Sequence, residues 1–283
     1  MKPGDTQTWG PVRLQWHDGP LRGAATITLA DPDRRNVLGP PMFDGLEASI
    51  LQLEACTAAA RFNPMHEPPP ADAVRVVLLQ GAGRAFCAGF DLGLLAQDPD
   101  PAQPLLALFL KRLAGCARRL RALPATSVAC VQGAALAGGC ALAMACDLAV
   151  ATHDAQLGYP VHAIGLSPAV SGTVLDARAG SGAMRALFMG GETVDGARAH
   201  ALGLVQGLVP DTAALTVHAQ ALACTLLAKG PRALAVTRRW LQTLDQAIDP
   251  DRVAAALGAS MSTVGSAEGA SLLRRVWTER TRS

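Results

Sequence analysis

Residues 133–152 read GAALAGGCALAMACDLAVAT and follow an unbroken apolar run at 128–131. Glycine and alanine fill six of the first seven positions, Leu136 being the exception. An apolar segment of helix length then spans 140–146, and Asp147 separates it from a second strand-like run at 148–151. Strand, glycine-rich turn, helix, strand is the repeating unit of a parallel sheet. Working outward, residues 74–79 form another continuous apolar run of the kind buried on both faces. Residues 105–121 place apolar side chains at helical spacing. Upstream, the alternating runs 12–16 and 24–29 are joined by HDGPLRG, which predicts a hairpin or paired strands. Pro40 and Pro41 open a helix predicted over 42–60, and Pro64 and Pro68–Pro69–Pro70 predict a loop over 63–72. Beyond residue 181 the pattern is almost wholly helical, with helices predicted at 182–190, 195–202, 211–228, 231–246 and 250–276. The expectation is an α/β core over 1–195 and a C-terminal helical region over 196–283, folding as one unit.

Composition narrows the function classes. Of 283 residues half are apolar, 17% are charged, 4% are aromatic, and the formal net charge is +2. A chain with this balance folds around a core, and it lacks the aromatic platforms and basic excess of a single-stranded nucleic-acid binder. Neither nucleic-acid nor membrane partners are expected. The longest apolar stretch is interrupted by Gly138, Gly139 and Asp147, which argues against a membrane span. Seven scattered cysteines with no CxxC pair read as reduced, buried thiols of a cytoplasmic protein. No His, Cys or carboxylate cluster has metal-ligand spacing.

Two loops carry the chemistry. In AFCAGFDL (85–92), Ala88 and Gly89 present backbone N–H groups with little side chain in the way. In AALAGGC (134–140), Gly138 and Gly139 do so at the start of the helix predicted at 140–146. Helix N-termini carry unpaired N–H donors and partial positive charge, so both loops are suited to a developing negative charge. Two donors aimed at one point make an oxyanion hole. Glycines at these places also allow close strand–helix packing, and each loop alone is open to that reading. GLSPA (165–169) approaches a serine-hydrolase elbow, but Pro168 has no N–H to donate and Ala169 replaces the last glycine. GAGRAF and GAALAGG complete neither GxGxxG nor a GK[ST] loop.

The order RRNVL (34–38), AFCAGFDL, GAALAGGCALAMACDLAVAT, LGYP (157–160), GLSPAVSG (165–172) and ARAHALGLV (197–205) resembles the crotonase superfamily, the enoyl-CoA hydratase/isomerase family, from about residue 12 onward. The resemblance implies a crotonase-like spiral of ββα units with a C-terminal helical trimerisation region. It implies an acyl-CoA or acyl-carrier thioester as substrate, and no cofactor beyond the coenzyme A that the substrate carries. It places the oxyanion-hole donors on the N–H groups of Ala88 and Gly138. The ligand contacts would fall on Arg34, Arg35 and Val37, on Ala85, Cys87, Phe90, Asp91 and Leu92, and on Pro160 and Val161. It also implies a homotrimer or a dimer of trimers, with the tail helices near the neighbour's site.

The departures from the family pattern are specific. Hydratases of the family use two glutamates to hold and deprotonate water. Here one position is Ala141 and the other is Val161. Hydration needs a positioned acid and base, each worth roughly 10²–10⁴ in rate. His162 is the candidate replacement base, although its neighbour Val161 holds the family position and adjacent side chains on extended backbone face opposite ways. Asp91 reads as a cap for the following turn, and Tyr159, the only tyrosine, as a core side chain or a donor to substrate. Decarboxylation, which forms an enolate with no protein base, or hydrolysis is favoured over hydration. The alternative is an inactive acyl-CoA-binding pseudoenzyme.

Overall fold

The structure, a computed structural model, describes residues 2–57, 73–97 and 103–282. The elements, in chain order, are β1 (Thr6–Trp9), β2 (Val12–Trp16), β3 (Ala24–Leu29), α1 (Pro40–Cys56), β4 (Val76–Gly81), α2 (Leu92–Ala96), α3 (Pro104–Ala122), β5 (Thr126–Val131), β6 (Ala134–Leu136), α4 (Gly138–Ala145), β7 (Leu148–Thr152), β8 (Gln156–Gly158), α5 (Gly172–Gly190), β9 (Thr193–Asp195), α6 (Gly196–Ala201), β10 (Gly207–Val209), α7 (Thr212–Leu227), α8 (Pro231–Asp245), α9 (Pro250–Met261) and α10 (Ala267–Arg282). The loop predicted at 63–72 and the last turn predicted for α1 at 58–60 lie outside the described residues.

Seven strands form the main sheet in the order β1-β2-β3-β4-β5-β7-β10. β2 and β3 pair antiparallel, as their alternating runs predict, β1, which the sequence reading did not mark, adds antiparallel to β2, and β3 to β10 pair parallel. A small sheet, β6-β8-β9, stands beside it. Side chains of a strand alternate between faces, and here both faces are covered. Val77 and Leu79 join the larger core with α1, α3 and α4. Val76, Leu78, Val128, Cys130 and Val150 meet Leu215, Ala219, Ala223 and Leu226 of α7 on the other face. That double burial is why these strands read as continuous apolar runs.

Three expectations need correction. The region beyond 195 is not wholly helical: β10 returns to the main sheet beside β7, and a three-residue strand carries no periodicity. The helix predicted over 250–276 is two helices, because Gly265 takes φ 74° in the turn between α9 and α10. The helix predicted at 182–190 begins at Gly172 and is kinked at Gly180 (φ 77°). Helix α9 packs on α3 and on the turn Pro168–Ser171, and α10 packs on α2 and on the turn His162–Ile164 of its own chain. Within this chain the tail therefore packs on its own α/β core. Gly165 makes this approach possible, since a Cβ there would stand 2.5 Å from the Gly269 Cα.

Candidate active site

The two glycine-bearing loops meet at one cavity of about 170 Å³. Its wall includes Ala88, Phe90 and Leu92 from the first loop, Leu136 to Gly138 from the second, and Tyr159, Pro160 and Val161 after β8. Leu110 and Leu113 of α3, the turns at 163–171 and Val276 of α10 complete it. Apolar atoms dominate. Among the described residues the wall contains no Asp, Glu, Lys, Arg or His.

Asn36 holds the first loop in place. It is fully buried at φ 55°, and its amide donates to the carbonyls of Ala82, Ala85 and Phe86 at 3.0, 2.8 and 3.2 Å while accepting from Asp31 N–H at 2.8 Å. Asparagine tolerates left-handed backbone better than most residues, which suits it to this corner. From there residues 87–91 run between two backbone edges. Toward 35–38, Ala88 N–H donates to Arg35 O (3.0 Å), Leu38 N–H donates to Gly89 O (2.8 Å) and Asp91 N–H donates to Leu38 O (3.2 Å). Toward β6, Cys87 N–H donates to Ala134 O (2.9 Å) and Leu136 N–H donates to Cys87 O (3.0 Å).

This pairing corrects the donor assigned to the first loop. The Ala88 N–H is bonded to Arg35 and cannot serve an oxyanion. In the bridge to Leu38, the bonds of Gly89 and Asp91 go to one side, so the intervening Phe90 N–H faces the other, toward the β6–α4 connection. Among the described residues it has no protein acceptor. Gly138 N–H, at the first residue of α4, has none either. The residue before it, Ala137, takes φ 50° and ψ −111°, a costly conformation for alanine. It is held by its N–H bond to Gly158 O (2.8 Å) and by Ala141 N–H on its own carbonyl (2.9 Å). That strained corner sets the direction of the Gly138 amide. At Gly139 a Cβ would stand 2.2 Å from Cys87 O, so only glycine lets α4 start this close to the loop.

The other expected site residues divide into three groups. Leu92, Pro160 and Val161 lie on the cavity wall with Phe90 and Gly138. Ala85 and Cys87 are buried behind it; burial pushes the Cys87 thiol up to about 12, against an opposing hydrogen bond from the Gly89 N–H. Ala141, one turn into α4, is likewise buried and off the wall. Arg34 and Arg35 are exposed and Val37 is half-buried, and none of the three lies on the cavity wall. Arg34 pairs with Asp31 (3.8 Å) and with the buried Asp91, which also caps α2 by accepting from Leu94 N–H (3.2 Å). His162 does not belong to this cavity. It is exposed on the turn His162–Ile164 and borders a separate cleft with Asp176 and Arg252, so it is removed as a base.

The enoyl-CoA hydratase/isomerase family model matches residues 21–261. The chain belongs to that family. A Thermus thermophilus protein carrying an enoyl-CoA hydratase name is 35% identical over 220 residues, which is 78% of this chain and 81% of that protein. The 1,2-epoxyphenylacetyl-CoA isomerase of Escherichia coli is 29% identical over 238 residues, 82% of this chain and 85% of the relative. A crystal structure of an enoyl-CoA hydratase/isomerase from Xanthobacter autotrophicus Py2 superposes with a TM-score of 0.76 at 28% identity, covering 97% of this chain and 94% of that one. The crotonase fold, with its C-terminal helical region, is therefore that of this chain.

Proposed function

We propose that this member of the family binds an acyl thioester with its carbonyl oxygen between the Phe90 and Gly138 N–H groups and forms an enolate without a protein base. The observation that carries the reading is the cavity wall itself: two backbone donors without protein acceptors, and no ionisable carboxylate, amine or imidazole beside them. Donors fixed in a low-dielectric cavity stabilise developing negative charge strongly, and removing one typically costs roughly 10²–10³ in kcat. Water addition needs an acid and a base that this wall does not hold.

Decarboxylation of a malonyl-type thioester suits such a site. The bond from the α-carbon to the carboxylate breaks, its electron pair becomes the enolate held by Phe90 and Gly138, CO₂ leaves, and the α-carbon takes a proton from water. Thioester hydrolysis is the second reaction in the class, and it needs an activated water that nothing on the wall prepares. Arg34 and Arg35 would meet the coenzyme A phosphates. A panel of acyl-CoA thioesters followed by mass spectrometry tests the reading. Loss of 44 Da from a carboxylated thioester supports it, and hydration of crotonyl-CoA at ordinary hydratase rates overturns it. Tight binding with no turnover on any thioester would instead mark a pseudoenzyme.

Self-assembly belongs to the same proposal. Among the apolar side chains of the tail, Leu226 is buried within the chain and Leu222, Leu234 and Leu257 pack against its cores. Val236, Trp240, Leu241 and Leu244 stay exposed on α8, three of them four residues apart on one face. Such a patch normally marks an interface, and closed symmetric oligomers are the usual solution. Light scattering at three or six times the monomer mass supports the trimer or its dimer; the monomer mass excludes both.

A further inference from the structure

Three hydroxyls border the acyl cavity: Tyr159, Ser167 and Ser171. Ser167 is committed to local structure, its Oγ accepting from Ala169 N–H (3.3 Å) to cap the turn Pro168–Ser171. Tyr159 is not committed. Its side chain is 1% exposed, and its ring stacks edge-on against Phe188 at 4.9 Å between centroids. Its hydroxyl has no hydrogen-bond partner: Cys140 and Ser171 are its polar neighbours, yet neither bonds it with acceptable geometry. Leaving a buried hydroxyl unpaired carries a penalty that folded proteins rarely accept. Packing alone would be served by phenylalanine.

We propose that the Tyr159–Ser171 pair is the oxygen-recognising corner of the acyl pocket, so that the substrate carries a second oxygen function on its acyl chain, beyond the thioester carbonyl. This rests on the thioester reading given above and narrows its substrate class. Burial, and then the nearby Cys140, hold the phenol well above its ordinary titration range, so it stays a neutral donor. Ser171, only 3% exposed, lies on the same wall and brings a second hydroxyl to this corner. A neutral donor suits a carboxylate destined to leave: one hydrogen bond orients it, while the apolar wall around it withholds the counter-charge that would stabilise it. Plain saturated or enoyl chains offer this corner no acceptor.

Affinity for acetoacetyl-CoA and butyryl-CoA, which differ by one oxygen at C3, tests the proposal by calorimetry on the full chain. The wild-type protein should prefer acetoacetyl-CoA by about tenfold or more. Tyr159→Phe, which keeps the Phe188 contact, should bring the two affinities within about twofold by weakening acetoacetyl-CoA alone, and Ser171→Ala should move them in the same direction. Thermal unfolding of ligand-free Tyr159→Phe should be unchanged or raised, since no bond is removed. Equal wild-type affinities, or equal losses for both ligands in Tyr159→Phe, would overturn this corner while leaving the thioester site standing. Binding of neither ligand by the wild-type chain would overturn both.

Discussion

Replacing Gly139 with alanine puts the most exposed step of the reasoning to the test. The added Cβ would stand 2.2 Å from the Cys87 carbonyl oxygen and 2.8 Å from the Cys87 Cβ. Carbon and oxygen approach to about 3.3 Å even in short C–H···O contacts, so the loop must retreat by roughly 1 Å. That carbonyl is anchored by Leu136 N–H at 3.0 Å and cannot swing aside alone. Overpacking of this kind costs about 1–3 kcal/mol, and at about 2–4 °C per kcal/mol for a large domain the midpoint should fall by roughly 2–12 °C. The retreat carries Phe90 away from Gly138, so the oxyanion site loses the register of one donor, a rate loss of about 10²–10³. Infrared spectroscopy of a carbonyl-labelled acyl-CoA reads this without turnover: the bound carbonyl band should shift down in wild type and return toward its free position in Gly139→Ala. Gly115→Ala is the control, because its Cβ would meet nothing within 4 Å inside α3; it should gain about 0.5–1 kcal/mol. A Gly139→Ala protein that melts lower yet keeps the wild-type carbonyl shift would refute the claim that this contact aligns the two donors.

Other perturbations follow from the same contacts. Asn36→Ala strips partners from Ala82, Ala85 and Phe86 and from Asp31 N–H at a left-handed position; a loss of about 3 kcal/mol or more is expected in urea unfolding, and a loss under 1 kcal/mol would show that Asn36 does not hold the loop. Arg238→Ala leaves Asp147 without the guanidinium 2.7 Å away and the Leu123 carbonyl without its Arg238 donor, while the Arg121 carbonyl keeps only Gln242 Nε2 at 2.6 Å; about 3–5 kcal/mol should be lost, and an unchanged midpoint would disprove the network's role. Burial pushes Cys87, Cys116, Cys130 and Cys146 up to about 12 and Cys140 to about 11, so at pH 8 less than about one in a thousand of these thiols is ionised. A thiol reagent should therefore label at most Cys56 and Cys224 in the native protein, more than two labels counting against the packing described. Because the folded values lie above pH 8, labelling of the other five should rise with pH and reach completion only on unfolding.

The strands that build the core were legible because β4, β5 and β7 are covered on both faces, by α1, α3 and α4 on one side and α7 on the other, which writes them as unbroken apolar runs. Strands β6, β8, β9 and β10 span three residues each, too few for alternation to show. Both glycine loops were legible as turns with exposed backbone from their small residues, and they do line one cavity. Which amide in 88–90 remains free was not, because it depends on residues 35–38, some fifty positions earlier, lying along one edge of the loop. His162 was drawn in by its place beside Val161; it sits on a one-turn helix that points it out of the cavity. That α10 closes on its own chain was not legible for a similar reason: the glycines that allow it, Gly165 and Gly269, meet across a hundred residues.

Val276, on α10, is part of the acyl cavity, and the Trp277 ring lies 3.0 Å from where a Gly93 Cβ would be. Residues as far apart in sequence as Ala88 and Val276 thus share one small container, and it is whole only when α10 is seated. A ligand in the cavity must then raise the free energy needed to peel α10 away, by the same amount that seating α10 adds to ligand affinity. Occupancy and helix docking become one equilibrium, so the protection of α10 amides against hydrogen exchange can report ligand binding at a distance in sequence from every residue that touches the thioester.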